Sequence, residues 1–380
     1  MAHCESKPEE KRMILESITN QTKVSLRIAK YLFSKESEKN IVFSPLSLQV
    51  ALSMIAAGSD GPTREQLLDF LLSKSTDHLN SFASHLVSAI ISNAAPSGGP
   101  CLSFLNGVWV DQSRSLQPSF QQIVSNDYKA TLSSVDFKNK ATEVLQEVNL
   151  WAEKETNGLI KNLLPPGSVD DLVVLIGANA LYFKGTWEEQ FDIEDTEDYV
   201  FHVQNGNSIL HLPFEQGGGK RRFSFYLFLP DAEDGLLDLI EKLASEFEYL
   251  QHKLPSRKVK VGAFRIPRFN ISFELETSSV LKELGVVLPF SDIGGVAKTV
   301  AGESLVVSKI FHKSFIEVNE AGTEAAAATA FIEAEYGMSE VEDDTSKIEF
   351  VADHPFLFLI REDLSGTVLF IGQVLNPLDM

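Results

Sequence analysis

Side chains that do nucleophilic, acid–base or metal chemistry are scattered through this chain in spacings that such chemistry does not use. There are two cysteines, Cys4 and Cys101, and eight histidines, with no CxxC pair, no HExxH metal motif and no GxSxG nucleophile turn. Gly217-Gly218-Gly219-Lys220 lacks the leading glycine and trailing Ser/Thr of a phosphate loop. No catalytic residue, metal ligand or cofactor is therefore expected. What stands out instead is a stretch of unusual composition. Asn319-Glu320-Ala321-Gly322-Thr323-Glu324-Ala325-Ala326-Ala327-Ala328-Thr329-Ala330 has almost only small side chains, and Phe331 to Ser346 continues it as an acidic run that presents Tyr336. Four alanines favour a helix. Before Phe331, however, no apolar stripe is present to dock one, and short isolated helices are marginal in water. Extended, the same residues can slide between two strands, because neither face carries bulk that a packed core must accommodate.

That stretch lies between apolar runs ending near Val318 and restarting near Phe350, and is longer than an ordinary connection. Upstream, Val24, Leu26, Ile28, Ala29, Leu32 and Phe33 recur at helical spacing. Ile41-Val42-Phe43 predicts a short strand ended by Ser44-Pro45, and the proline suits the first turn of a helix over Leu46–Ala57. Gly58 to Pro62 stops that helix, and Thr63 with Gln66 predicts a capping box for the next, ending near Leu72. Strands are expected over Leu102–Val110, Leu132–Phe137, Leu172–Phe183, Arg222–Leu229, Val259–Pro267, Leu305–Val318, Phe356–Ile360 and Thr367–Val374. The last two are joined by a hairpin turn, Glu362–Gly366, and a further helix covers Ala141–Thr156. The pattern is α+β, with helices concentrated early and strands throughout.

Charge and targeting narrow the partners. Lys and Arg number 33 against 53 Asp and Glu, a net −20. Such a surface repels nucleic acid and anionic membranes and attracts basic proteins. From Glu320 to Ser346 there are eight acids and no Lys or Arg. Met1 to Met13 is charged and lacks the apolar core of a secretory signal, and no run is long and apolar enough to span a bilayer. A cytoplasmic or nucleocytoplasmic protein is expected. Two cysteines far apart argue against a disulfide framework, which suits that setting. No linker-like stretch divides the 380 residues, so 1–380 is expected to form one domain, with 1–20 as an N-terminal extension.

Two motifs together carry a resemblance. Glu320-Ala321-Gly322-Thr323-Glu324-Ala325-Ala326-Ala327-Ala328 is similar to the inhibitory hinge of the serpin family. Phe350-Val351-Ala352-Asp353-His354-Pro355-Phe356-Leu357-Phe358 is similar to its C-terminal signature, and Gly372-Gln373-Val374-Leu375-Asn376-Pro377 to its usual ending. From about Thr22 to Pro377 the chain resembles a serpin of the plant intracellular Z/ZX type. The resemblance implies a serpin fold with about three β-sheets, eight or nine helices and an exposed reactive-centre loop, with hinge and loop over 319–349. It implies a monomeric inhibitor, not an enzyme. A serine-type or cysteine endopeptidase, chymotrypsin-like or papain-like, would cleave the loop, form an acyl-enzyme and be trapped covalently as the loop inserts into the central sheet.

Counting as the family does, with Gly322 and Thr323 in register, the resemblance puts the cleaved bond between Tyr336 and Gly337. Glu320, Gly322, Thr323, Glu324 and Ala325 to Ala328 form the hinge. Ser44, Ser47, Asn179 and His312 correspond to the polar shutter under the sheet, and Trp187 and Arg268 to the breach where the loop enters, Arg268 pairing with Glu320. On insertion, alternation turns Thr323, Ala325, Ala327, Thr329, Phe331 and Glu333 to one face. The chain departs from the family at Glu335-Tyr336, where plant relatives commonly carry a Leu-Arg pair, and in one further place. After Phe201-His202-Val203-Gln204-Asn205-Gly206 it jumps directly to Leu210-His211-Leu212-Pro213-Phe214, and roughly twenty residues, the material of about three strands, are expected to be missing near 206–211.

Overall fold

The computed structural model describes residues 8–323 and 348–379, apart from 93–94, 96–97, 157, 159, 197–207, 231, 233, 247–249, 251–253, 256–260 and 301–302. It is α+β. Among the described residues there are eight α-helices, a six-stranded sheet, a five-stranded sheet and two two-stranded ladders.

Helix α1 runs without a break from Pro8 to Lys35, so residues 8–20 of the expected extension are helical, and Ile18 among them is buried. Strand β1 (Ile41–Phe43) leads into α2 (Pro45–Ala57), whose first turn is set as the sequence suggests. Pro45 supplies a fixed φ, and the Ser44 hydroxyl accepts from the Ser47 N–H at 3.1 Å. Helix α3 (Gly61–Phe70) corrects the predicted capping box. Its N-cap is Asp60 and Pro62 stands in its first turn, so the helix begins before Thr63. Gln66 is thereby free to accept from the N–H groups of Val287 and Leu288, at 2.9 and 2.8 Å.

Helix α4 (Thr76–His85), β2 (Cys101–Asp111), α5 (Pro118–Asn126), β3 (Thr131–Val135), α6 (Phe137–Glu155) and β4 (Leu175–Thr186) follow. The strand predicted from Leu172 begins three residues later, since Leu172 is exposed outside the sheet. Next come β5 (Ser208–Pro213), β6 (Phe223–Leu229), α7 (Leu236–Ser245), β7 (Val261–Arg265), β8 (Phe269–Glu276) and α8 (Thr277–Glu283). The long strand predicted over Leu305–Val318 divides into β10 (Glu303–Leu305), paired with β9 (Val296–Val300), and β11 (Ile310–Asn319). The chain closes with β12 (Gly322–Thr323), β13 (Ile348–Val351), β14 (Phe356–Glu362) and β15 (Thr367–Val374).

The six-stranded sheet has the order β3-β2-β4-β12-β11-β8, and the five-stranded sheet β1-β15-β14-β6-β5. Strands β14 and β15 are buried at almost every position, as unbroken apolar runs dictate when both faces are covered. Helix α2 is buried nearly all round. Its Leu48 and Leu52 join one apolar cluster and Leu46, Val50 and Met54 another, so it forms the floor on which the large sheet rests.

Candidate functional site

The site is the seam between β4 and β11. At one end these strands pair directly and in parallel, Ile310 opposite Gly177 through Lys313 opposite Ala180. At the other end the two-residue strand β12 lies between them. Gly322 and Thr323 oppose Thr186 and Gly185 of β4 on one side, and Asn319 and Val318 of β11 on the other. The sheet is therefore closed along one half of the seam and wedged open at the other by the start of the small-residue stretch.

Two glycines permit the wedge. Gly322 has φ +156°, and a Cβ there would come within 2.1 Å of the Gly185 carbonyl oxygen. A Cβ on Gly185 would sit 2.7 Å from the Phe214 ring. Trp187 lies directly over that ring, centroids 4.7 Å apart and planes 13° apart. Its indole N–H donates to the Asn319 carbonyl at 2.9 Å, and its backbone N–H donates to the Ala321 carbonyl at 2.9 Å. Trp187 thus ties β4 to the turn that delivers the hinge. Glu320 in that turn accepts at its carbonyl from Phe191 N–H at 3.0 Å, and at its carboxylate from the Thr196 hydroxyl at 2.8 Å. Arg268 Nη1 lies 3.4 Å from the same carboxylate.

Under the closed half, Asn179 of β4 and His312 of β11 are neighbours in register. Both are buried, and both reach down to the first turn of α2. The Ser47 hydroxyl donates to Asn179 Oδ1, and the Asn179 amide donates to Asn106 Oδ1 on β2. His312 Nε2 accepts from the Ser44 N–H at 3.0 Å, with Ser314 Oγ 2.8 Å away. An acceptor at Nε2 places the ring proton on Nδ1, which has no partner among the described residues. Burial pushes the His312 pKa down to about 3, so the ring is neutral at pH 7. Each strand of the seam is therefore pinned to the same helix turn by one polar side chain, and parting the strands must break or carry those bonds.

Ser44, Ser47, Asn179 and His312 are brought together as one cluster, and Glu320, Gly322, Thr323, Trp187 and Arg268 as another. Glu324, Ala325 to Ala328, Tyr336 and Gly337 lie outside the described residues. The sequence reading missed Asn106, Ser314 and Asn319. Asn106 had a signal: it is the lone amide within the apolar run Leu102–Val110, where an amide must find partners. Its own amide donates to the Tyr128 carbonyl at 2.9 Å. Asn319 Oδ1 accepts from the N–H groups of Ala321 and Gly322, shaping the turn. Among the described residues no cluster of metal-binding side chains occurs, and no helix is long and apolar enough to cross a membrane.

A sheet half opened by a strand of small residues, over a polar clamp, is the arrangement of a class of conformationally trapped protease inhibitors. The family model described as Serpin (serine protease inhibitor) matches residues 19–212 and 204–377, and the chain belongs to that family. Serpin-ZX of Arabidopsis thaliana is 48% identical over 391 positions, taking in 96% of this chain and 99% of the relative. Serpin-ZXA of Oryza sativa subsp. japonica is also 48% identical, over 95% and 98%. The native stressed conformation of Arabidopsis AtSerpin1 superimposes with a TM-score of 0.86 at 46% identity, covering 96% of this chain and 99% of that one. These relatives place the chain with the plant Z/ZX type, in a family of protease inhibitors rather than enzymes.

The comparisons also bear on the gap. The family model is matched in two pieces that overlap at 204–212. Of the 391 positions aligned with the Arabidopsis relative, 96% of 380 residues fills about 365, so about 26 have no counterpart here. Strand β5 begins at this break and, among the described residues, is the last strand of the five-stranded sheet.

Proposed function

We propose that this chain inhibits endopeptidases as a suicide substrate, with the Tyr336–Gly337 bond as bait. The protease's serine or cysteine attacks the Tyr336 carbonyl, the amine of Gly337 leaves with a proton, and Tyr336 stays bound as the acyl-enzyme. Insertion of Glu324, Ala325 to Ala328 and the residues beyond, between β4 and β11, then carries the protease away before water can hydrolyse the ester or thioester. The observation that carries this reading is that Gly322 and Thr323 are already paired with both strands. The inserted strand needs only to be extended, and after Glu324 the next residues, Ala325 to Ala330, are small. An aromatic at the bait position suits a chymotrypsin-like pocket. A papain-like enzyme would read Glu335 before it. The polypeptide acts as a monomeric single domain in the cytosol or nucleus.

The test is a denaturing gel against a protease panel with sequencing of the released peptide. A denaturant-resistant complex and a peptide beginning at Gly337 are expected. Clean cleavage with no complex overturns inhibition. It would favour a second reading, a substrate-like or binding protein of the same fold, which the gap before β5 supports.

A further inference from the structure

Beneath the closed half of the seam lies a cavity of about 50 Å³. Met54 and Ile55 of α2, Val108 of β2, Phe120 of α5, Gly177 of β4 and Ile310 of β11 are among its walls. Among the described residues Asn179 and Thr299 bring the only polar side chains, and both are already engaged: Asn179 with Ser47 and Asn106, Thr299 with the Gly58 carbonyl at 3.4 Å. A buried water makes two to four hydrogen bonds, so it would be poorly held here, and apolar cavities of this kind stay dry. The void reaches the backbone itself. A Cβ built on Gly177 meets no heavy atom within 4 Å, and Gly177 does not have a positive φ.

Gly177 and Ile310 are also the first register pair of the parallel ladder that closes the sheet. The same walls, therefore, come from the two strands that must separate and from the helix below them.

We propose that this cavity is a binding site for one compact, neutral, apolar molecule, which holds β4 and β11 together. An engineered apolar cavity of about 150 Å³ takes benzene or xenon, and one about a third of that size fits a xenon atom or a hydrocarbon of about two or three carbons. The occupant touches β4, β11 and α2 at once only while the sheet is closed. It has differential affinity for the closed state and shifts the population towards it. Its effect on loop insertion rests on the proposed function; its binding and its effect on the native sheet do not.

Xenon is the probe. Crystals pressurised with xenon should show one peak beside Gly177, absent in Gly177→Ala, where the new methyl fills the space without strain. Val108→Ile fills it from β2, the neighbouring strand on which Val108 opposes Gly177, and gives the same loss if the first variant misfolds. In solution, xenon at twice its dissociation constant favours the closed sheet about threefold. The melting temperature of the native protein should rise with xenon pressure, and insertion after loop cleavage should slow by a similar factor. Neither change should occur in the filled variants. A missing peak, or a peak with an unmoved melting temperature, overturns the proposal. Failure of the unliganded loop to insert, with the peak and the melting shift present, overturns the proposed function instead and leaves the cavity site standing.

Discussion

Thr323 is paired on both sides: it opposes Gly185 of β4 in one ladder and Val318 of β11 in the other, and its side chain is buried. Its hydroxyl accepts from the Gly185 N–H at 3.2 Å. An arginine here must bury a charge and a long side chain between two packed strands, or pull the hinge out of the sheet. Burying an unpaired ion costs several kcal/mol, so expulsion wins. Thr323→Arg should leave the native protein folded and convert it from inhibitor to substrate. Titration against a chymotrypsin-like protease should give cleaved product and at least about a tenfold loss of complex, the equivalent of 1.4 kcal/mol. Undiminished complex would contradict insertion at this point.

Gly322 tests the same wedge from the backbone. A methyl there overlaps the Gly185 carbonyl and sits 2.9 Å from Thr186 Cα. Gly322→Ala should displace β12 from β4, costing of the order of 1–3 kcal/mol in that local pairing. Hydrogen exchange at the Gly185 amide, protected in the parent by Thr323, should speed up while the core of β14 and β15 stays slow. Unchanged exchange at Gly185 would mean that the wedge does not depend on glycine.

By contrast, the ion pair at the entry is worth little. Arg268 is 63% exposed and Glu320 14%, so water screens the pair from the arginine side and its contribution stays near the roughly 1 kcal/mol upper end for surface pairs. Glu320 is held by its carbonyl bond to Phe191 and by Thr196 as well. Arg268→Gln should change the denaturation midpoint by no more than that amount and leave complex formation intact. A large loss of complex would give Arg268 a role that its geometry does not explain.

Much of this was legible because local chemistry and tertiary need agree. Ser44-Pro45 starts α2 as its residue types demand, and the apolar runs of β14 and β15 have no polar face to expose. The two hinge residues seen in the sheet, Gly322 and Thr323, were legible by composition, since both fit between strands where bulk would clash. The capping box at Thr63 failed because Pro62 and Asp60 start the helix a turn earlier, and tertiary contact took Gln66 elsewhere. The break within the run Leu305–Val318 was missed because Val306 and Val307 carry the apolar run past the end of β10, before Ser308-Lys309 and the start of β11. Asn106 was missed because its partner Asn179 lies 73 residues away, a contact that only the sheet creates.

The gap should be felt at β5. This strand, Ser-Ile-Leu-His-Leu-Pro, contains no Lys, Arg, Asp or Glu, and among the described residues its ladder is with β6 alone. Uncharged edges invite pairing between chains, and a lysine on the edge opposes it. Ser208→Lys should slow aggregation near the melting temperature, followed by light scattering, without shifting the melting temperature. Equal aggregation rates would remove β5 as the sticky edge.

His312 makes the seam sensitive to acid. The ring is neutral in the folded protein because burial lowers its pKa from the ordinary 6.5 to about 3. The unfolded chain therefore binds this proton first as pH falls. The stability that His312 contributes is complete above about pH 6.5 and is lost progressively down to about pH 3. By pH 4 the loss is of the order of 3 kcal/mol. His85 and His211 are also lowered, burial being the first cause for each, and act in the same direction. The contribution of His312 must therefore be read by difference. Denaturation midpoints measured from pH 7 to pH 4 should fall more steeply for the parent than for His312→Gln, which cannot take up the proton. The protonated ring would also lose its acceptor for the Ser44 N–H, so acid should loosen the hold of β11 on α2 before the rest of the core responds. Parallel pH profiles for parent and variant would show that this histidine is not the group whose protonation destabilises the sheet.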